Sequence, residues 1–238
     1  TDMLDPEMIA VAFDRKEPTF RHGLYQEYKG TRKPMPEDLA AQMPLLKELL
    51  DRMGVARFEL AGYEADDILG TLSAKFGRTG RAHTVILTGD RDALQLVGDG
   101  TDVMLAGNRE DVLYDRAKVA EMYGGLTPEQ LIDLKALQGD SSDNIPGVPG
   151  VGPKTATELI AACGSLDGVY AGLANVSRDS LRTRLAENKD LAYLSYKLGT
   201  IFTDVPLEPF PDEAALRPGT EDAGALAALL DRLELEMA

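Results

Sequence analysis

The feature that most restricts this chain is an alternation in its first half. Short apolar runs, each breaking off at glycine or an acid, are separated by stretches with helical spacing. Residues 8–13 (MIAVAF) end at Asp14, and residues 85–88 (VILT) run into Gly89-Asp90-Arg91-Asp92. Such compact apolar runs read as buried strands. Between them, Leu39, Met43, Leu46, Leu50 and Met53 recur at three- and four-residue steps from Pro36 until Gly54, the pattern of an amphipathic helix with a glycine stop. Residues 55–60 read as a further strand and 64–76 as a second helix with Ala65, Ile68, Leu69, Leu72 and Phe76 on its apolar side. A helix over 93–97 and a strand pair, 103–105 with 112–114, complete this half. Strands alternating with helices predict an α/β domain with a mainly parallel sheet flanked by helices.

From residue 126 the character changes. Thr127-Pro128-Glu129-Gln130 has the form of a capping box with proline at the first helical position, opening a helix through Leu131, Leu134 and Leu137. A Gly/Pro-rich segment, 139–153, precedes helices predicted at 154–163, 166–173, 177–187 and 191–198. The expected organisation is an α/β core over 1–125, a helical subdomain over 126–203 and an acidic tail over 204–238 that packs on the core.

Composition narrows the chemistry. One cysteine, Cys163, cannot form an internal disulfide, and no Cys/His cluster is present to hold zinc, so a reducing, cytoplasmic setting is expected. There is no Gly-x-Ser-x-Gly elbow, and Gly150-Val151-Gly152-Pro153-Lys154-Thr155 lacks the Gly-Lys pair of a phosphate loop. The formal charge is −15, which disfavours nucleic acid on average, since phosphate binding relies on Lys and Arg.

The placement of the acids matters more than their number. Asp14, the group Glu64, Asp66 and Asp67, the pair Asp90 and Asp92, and the pair Asp140 and Asp143 all stand at predicted element ends. In an open parallel sheet those ends line the ligand-binding edge. Helix capping accounts for one or two acids at 64–67, but a third adds repulsion. Acidic turns account for the other pairs taken singly. Taken together, converging carboxylates repel one another and require divalent metal, and oxygen ligands without Cys or His select Mg²⁺ or Mn²⁺. Two such ions activate water and stabilise the leaving oxygen of a phosphodiester. The one clearly basic stretch, 15–33, carries Arg15, Lys16, Arg21, Lys29, Arg32 and Lys33 with Phe20, Tyr25 and Tyr28 interleaved, a composition suited to a nucleic-acid strand.

The blocks AFDRKEPTFRHGLYQEYKGTRKPMPEDL, GYEADDILGTL, ILTGDRDALQL, LKALQGDSSDNIPGVPGVGPKTA and NKDLAYLSYKLGTI, in this order and spacing, resemble the 5′-nuclease (5′→3′ exonuclease and flap endonuclease) domain of bacterial DNA polymerase I over nearly the whole chain. The resemblance implies a PIN-like core with a helical arch and a helix–turn–helix (H2TH-type) DNA-binding subdomain. It implies that Asp14, Glu64, Asp66, Asp67, Asp90, Asp92, Asp140 and Asp143 form the set for two Mg²⁺ or Mn²⁺ ions, with Asp66, Asp67, Asp90 and Asp92 foremost. Arg21, Tyr28, Lys29, Arg32 and Lys33 match the base of the arch, with Arg21 and Lys29 at the scissile phosphate. Gly147, Gly150, Val151, Gly152, Lys154 and Thr155 match the loop that holds duplex DNA and, in the family, K⁺. The implied partners are DNA with a 5′ flap, nick or duplex end, and RNA primers. A bacterial monomer natively fused to a polymerase domain is expected, acting in the cytoplasm on the nucleoid.

The family also has a strand ending in Asp-Gly upstream of the block beginning near Met8, so the chain is expected to lack that central strand and its aspartate. Two other readings therefore stay open: a catalytically impaired binding fragment, and a toxin-like ribonuclease of the related acidic-site fold, although such domains are shorter and lack the 147–155 loop. With the eight clustered acids set aside, together with the nine acids, Arg217 and Arg232 of the tail, the remaining charge is zero. On this reading the acidity marks the site of chemistry and does not exclude DNA.

Overall fold

A computed structural model describes residues 4–219 and 223–233. Strand β1 (Ala10–Ala12) pairs in parallel with β2 (Ala56–Phe58), Ala10 opposite Ala56. Strand β3 (Thr84–Thr88) pairs in parallel with β4 (Thr101–Leu105), which in turn pairs antiparallel with β5 (Val112–Tyr114). The expected parallel α/β architecture is present, but its sheet is in two pieces: among the described residues no strand joins β1 to β3. The two pieces are held by one helix, α3 (Ala65–Phe76), which packs on both β1 and β3. Its apolar faces divide the labour. Ile68, Leu72 and Phe76 join Val205 and Leu216 in one cluster, whereas Leu69 packs with Ile86, Leu94 and Val103 in another.

Helix α1 (Phe20–Leu24) and helix α2 (Glu37–Arg52) lie between β1 and β2 in the chain. The helix expected over 93–97 is a 3₁₀ helix, Arg91–Leu96. The chain must turn into β4 through the Gly98 and Thr101 backbone pair, leaving less than two α-helical turns of room.

Helix α4 (Arg116–Met122) leads into the helical half. Thr127 N–H donates to Gln130 Oε1 as the capping box predicts, but helix α5 begins only at Gln130 and runs to Gln138. Then follow α6 (Pro153–Cys163), α7 (Leu166–Ala171), α8 (Asp179–Glu187) and α9 (Lys189–Gly199), around a core that includes Leu137, Val148, Val151, Ile160, Leu166 and Leu185. The predicted helix over 166–173 ends early and gives way to a 3₁₀ turn, Leu173–Asn175. Beyond residue 204, α10 (Glu213–Leu216) delivers Leu216 to the α3 cluster, and α11 (Ala223–Arg232) lies against α2. No helix among the described residues is long and apolar enough to cross a membrane.

Candidate active site

The site is built at the start of α3. Glu64 is its N-cap: the Glu64 side chain accepts from the Asp67 backbone, and Asp67 Oδ2 accepts from Glu64 N–H at 3.0 Å. Asp14, just beyond β1, accepts from Ala65 N–H at 2.8 Å. Capping therefore employs Glu64, Asp67 and Asp14 and leaves Asp66 as the surplus acid. Its carboxyl is pushed up to about 7, first by burial and then by the charges of Asp90, Asp14 and Asp92, with Lys29 opposing. Asp90, after β3, accepts from Asp92 N–H at 2.9 Å and so caps the 3₁₀ turn. Four carboxylates from three separate segments thus act on one another as like charges.

The other acids are already matched with cations. Arg21, 2% exposed, donates through Nη1 and Nη2 to both oxygens of Asp67 at 2.7 Å each, and Asp67 is 0% exposed. Asp67 Oδ1 also accepts from Phe202 N–H at 2.8 Å. Arg21 further donates to the carbonyls of Leu198 and Thr200. In the free protein both Asp67 oxygens are thus engaged by Arg21, and Arg21 itself, expected at the scissile phosphate, is buried. The pairing follows from burial: neither charge is tolerated in the interior without a fully bonded partner.

Glu64 is 2.9 Å from Lys29 Nζ and 3.6 Å from Arg21 Nη1. Tyr28, 3% exposed, places its hydroxyl 3.2 Å from Glu64 Oε2 and 3.4 Å from Asp143 Oδ2. Its ring is therefore packed inside and not presented to solvent. The hydroxyl ties α3 to the 140–145 turn, and burial with two neighbouring carboxylates raises its pKa. Arg32 pairs closely with Asp143, and Lys29 N–H donates to Asp143 O at 2.8 Å. Lys33 is exposed.

Sequence reasoning missed Lys135. From α5 its Nζ lies 2.5 Å from Asp92 and 2.6 Å from Asp140, spanning the α/β core and the helical half. Burial, which lowers the Lys135 pKa, is outweighed by its acidic partners, so that the pKa is raised in net, and Asp140 is held at about 2, burial being outweighed by Lys135 and Ser142. A lone cation amid buried Leu134, Ala136 and Leu137 was the available signal. The eight expected acids thus form an inner group of Asp14, Asp66, Asp90 and Asp92, the last of which also pairs with Lys135, and an outer group of Glu64, Asp67, Asp140 and Asp143 paired with Lys29, Arg21, Lys135 and Arg32. Among the described residues, no three His, Cys, Asp or Glu side chains stand where they would together hold an ion. The inner group nonetheless fits a hard divalent cation by its donor chemistry, which is all carboxylate oxygen, and by the burial and like-charge repulsion that raise Asp66.

At the 147–155 loop, Gly147 is packed inside and not on the surface. Its N–H donates to Ser195 Oγ at 2.9 Å, and with φ +61° a Cβ there would meet the Gly139 backbone at 2.3 Å. Val151 is buried too, its N–H spent on Val148 O. Gly150 and Gly152 are exposed, as is Lys154, at the N-terminus of α6, while Thr155 is half-buried. The Gly150 carbonyl accepts from Arg184 at 3.1 Å.

Two family profiles match the chain. The profile described as 5'-3' exonuclease, N-terminal resolvase-like domain, matches residues 1–124, and that described as 5'-3' exonuclease, C-terminal SAM fold, matches 126–222. A thermostable DNA polymerase I from Thermus filiformis is 45% identical over 230 residues, 97% of this chain and 27% of that protein. DNA polymerase I of Bacillus subtilis is 46% identical over 205 residues, 85% of this chain and 23% of that one. The chain spans about a quarter of the length of these curated relatives. Among solved structures, T5 5'-exonuclease with divalent metal ions (zinc) bound superposes with a TM-score of 0.72 at 23% identity, over 98% of this chain and 86% of that one. The catalytic core of Rad2 in complex with DNA substrate gives 0.58 at 20% identity, over 94% and 73%.

Proposed function

The chain belongs to the 5'-3' exonuclease family, and from that premise we propose that it is a structure-specific 5′ nuclease, hydrolysing phosphodiesters at DNA flaps, nicks and duplex ends or in RNA primers. The observation that carries this reading is Asp66 beside Asp14, Asp90 and Asp92, an all-oxygen group next to Lys29.

Asp14, Asp66, Asp90 and Asp92 would hold Mg²⁺ or Mn²⁺, two ions in all, with Asp140 and Asp143 on the outer side. Bound there, the metal supplies a lowered pKa for an attacking water and charge stabilisation at the leaving oxygen. Lys29 holds Glu64 in the free protein and offers its ammonium to the scissile phosphate, whose developing charge it offsets. Arg21 acts one step back, fixing Asp67 and with it the first turn of α3. Gly150, Gly152, Lys154 and Thr155 open α6 towards a duplex phosphate, where backbone N–H groups and the helix dipole favour an anion. Such contacts read backbone shape, which suits structure-specific binding. A K⁺ ion on the carbonyls of this loop would have to displace Arg184 from Gly150.

The relatives' names support a chain natively joined to a polymerase and acting on DNA; that it does so as a monomer in the bacterial cytoplasm is part of the same proposal. The test is cleavage of a 5′-flap DNA in Mg²⁺ by the chain and by Asp66→Asn. Metal-independent cleavage, or a variant of undiminished rate, would remove the mechanism.

A second reading, a flap-binding fragment without turnover, draws on the divided sheet and on the lack, among the described residues, of a three-carboxylate group in place. Flap affinity that depends on Lys29 and Lys154, with no cleavage even in Mn²⁺, would favour it.

A further inference from the structure

Behind Arg21 lies a cavity of about 280 Å³ lined by Phe20, Leu24, Tyr196, Lys197, Thr200 and Phe202. Its walls are aromatic and open to solvent: Phe20 is 38% exposed and Phe202 40% exposed. Phe202 stacks on Tyr63 at 5.8 Å with 26° between rings, and Phe20 meets both at 6.0 and 6.3 Å. Three rings grouped at the surface are costly unless something covers them, because exposed apolar patches are worth most when shielded from water.

Two observations indicate what covers them. The first is continuity with the active site. Phe20 precedes Arg21 and its ring lies under the Arg21 guanidinium at 4.5 Å. Tyr63 precedes Glu64, and Phe20 N–H donates to Gly62 O at 3.0 Å, locking both walls to the start of α3. The second is charge. Lys197 is exposed at the rim and forms no ion pair among the described residues, in a chain of charge −15 where most cations are matched. Flat π-faces with one free cation beside them suit a planar base attached to a phosphate. The volume is at the small end for ligand pockets and suits one ring system, not a peptide segment.

We propose that this cleft is a stacking site for one unpaired nucleobase of the bound strand, with Lys197 on the adjoining phosphate. The inference rests on the nuclease reading and adds a subsite to it. Of the aromatic residues interleaved in the basic stretch it assigns stacking to Phe20, joined by Phe202, and not to the buried Tyr28.

The experiment measures binding by fluorescence anisotropy, in EDTA so that nothing is cleaved, to three DNAs: a blunt duplex, the same duplex with a single-stranded deoxyadenosine tail, and one whose tail nucleotides are abasic. The chain should bind the adenine tail roughly 5- to 100-fold more tightly than the abasic tail, the range for one base stacked on an aromatic side chain. The double variant Phe20→Leu, Phe202→Leu should lose that preference and keep its affinity for the blunt duplex. Lys197→Gln should weaken both tailed DNAs and leave their ratio unchanged. Leucine retains apolar volume, so the melting temperature should hold; should the pair nevertheless unfold, Leu24→Lys at the exposed mouth must reduce the adenine preference by itself. Equal affinity for adenine and abasic tails, or a preference indifferent to these substitutions, overturns the stacking site while duplex binding upholds the family reading. Absence of any duplex binding overturns both.

Discussion

Arg21 and Asp67 face one another through two parallel hydrogen bonds of 2.7 Å, with side chains 3% and 0% exposed, between helix α1 and the first turn of α3. A pair of this kind binds elements together and is severe to break, since the surviving charge is left buried without a partner. Arg21→Met is expected to cost about 3–5 kcal/mol in urea unfolding. Asp67→Asn should lose a comparable amount. If Asp67→Asn instead unfolds at the native midpoint and only metal affinity falls, the assignment of Asp67 to structure is wrong.

Asp66 should behave in the opposite way. Its folded pKa, about 7, lies above the ordinary carboxylate value. Between about pH 4 and pH 7 the folded state therefore holds a proton that the unfolded state has released, and stability in EDTA falls as pH rises through that window, levelling above it. Ionising this carboxyl in the folded protein carries a penalty of at most about 4 kcal/mol. Asp66→Asn removes the charge and should be more stable than the parent at pH 8 in EDTA, while cleavage is abolished. Denaturant midpoints at pH 5 and pH 8 check the sign. An identical pH slope in parent and variant would refute it.

Lys135 is the counter-ion of Asp92 and Asp140. Lys135→Met leaves two acids facing one another, and a loss of about 2–4 kcal/mol is expected in metal-free buffer. Mg²⁺ should then raise the melting temperature of the variant more than that of the parent, because the added cation takes over part of the neutralisation. A smaller metal response in the variant would count against this account.

Gly150 and Gly152 separate fold from binding. At Gly150, φ is +75° and a Cβ would lie 2.4 Å from Arg184 Nη1, so Gly150→Ala should cost about 1–3 kcal/mol. Gly152 has φ −92° and nothing within 4 Å of a Cβ. Gly152 is the N-cap of α6, where alanine is poorer than glycine, so Gly152→Ala should cost only about 0.5–1 kcal/mol. It should nonetheless weaken duplex binding if phosphate approaches the backbone there. Thermal melts beside duplex titrations distinguish the two, and unchanged affinity in Gly152→Ala would remove this glycine from the interface.

Much of this protein was legible in its sequence because the signals were local. Apolar periodicity located β3, α2, α3 and the helical half, since side-chain spacing along one element needs no knowledge of its neighbours. The surplus acid at 64–67 was likewise visible, because a helix start employs only so many carboxylates. The sequence blocks resembling the 5′-nuclease family were continuous stretches and carried the same advantage. What tertiary structure alone decided was which charge meets which. Arg21 and Asp67 are 46 residues apart, and Lys135 reaches Asp92 across 43. Their pairing depends on how α1, α5 and the 3₁₀ turn pack, and no local pattern encodes that. Burial then assigned the roles: it made Arg21 and Tyr28 internal connectors, left Lys29 within reach of the Asp66 group, and turned Phe20 outward. Residue type and spacing thus named the candidates, and the cost of burying an unmatched charge selected among them.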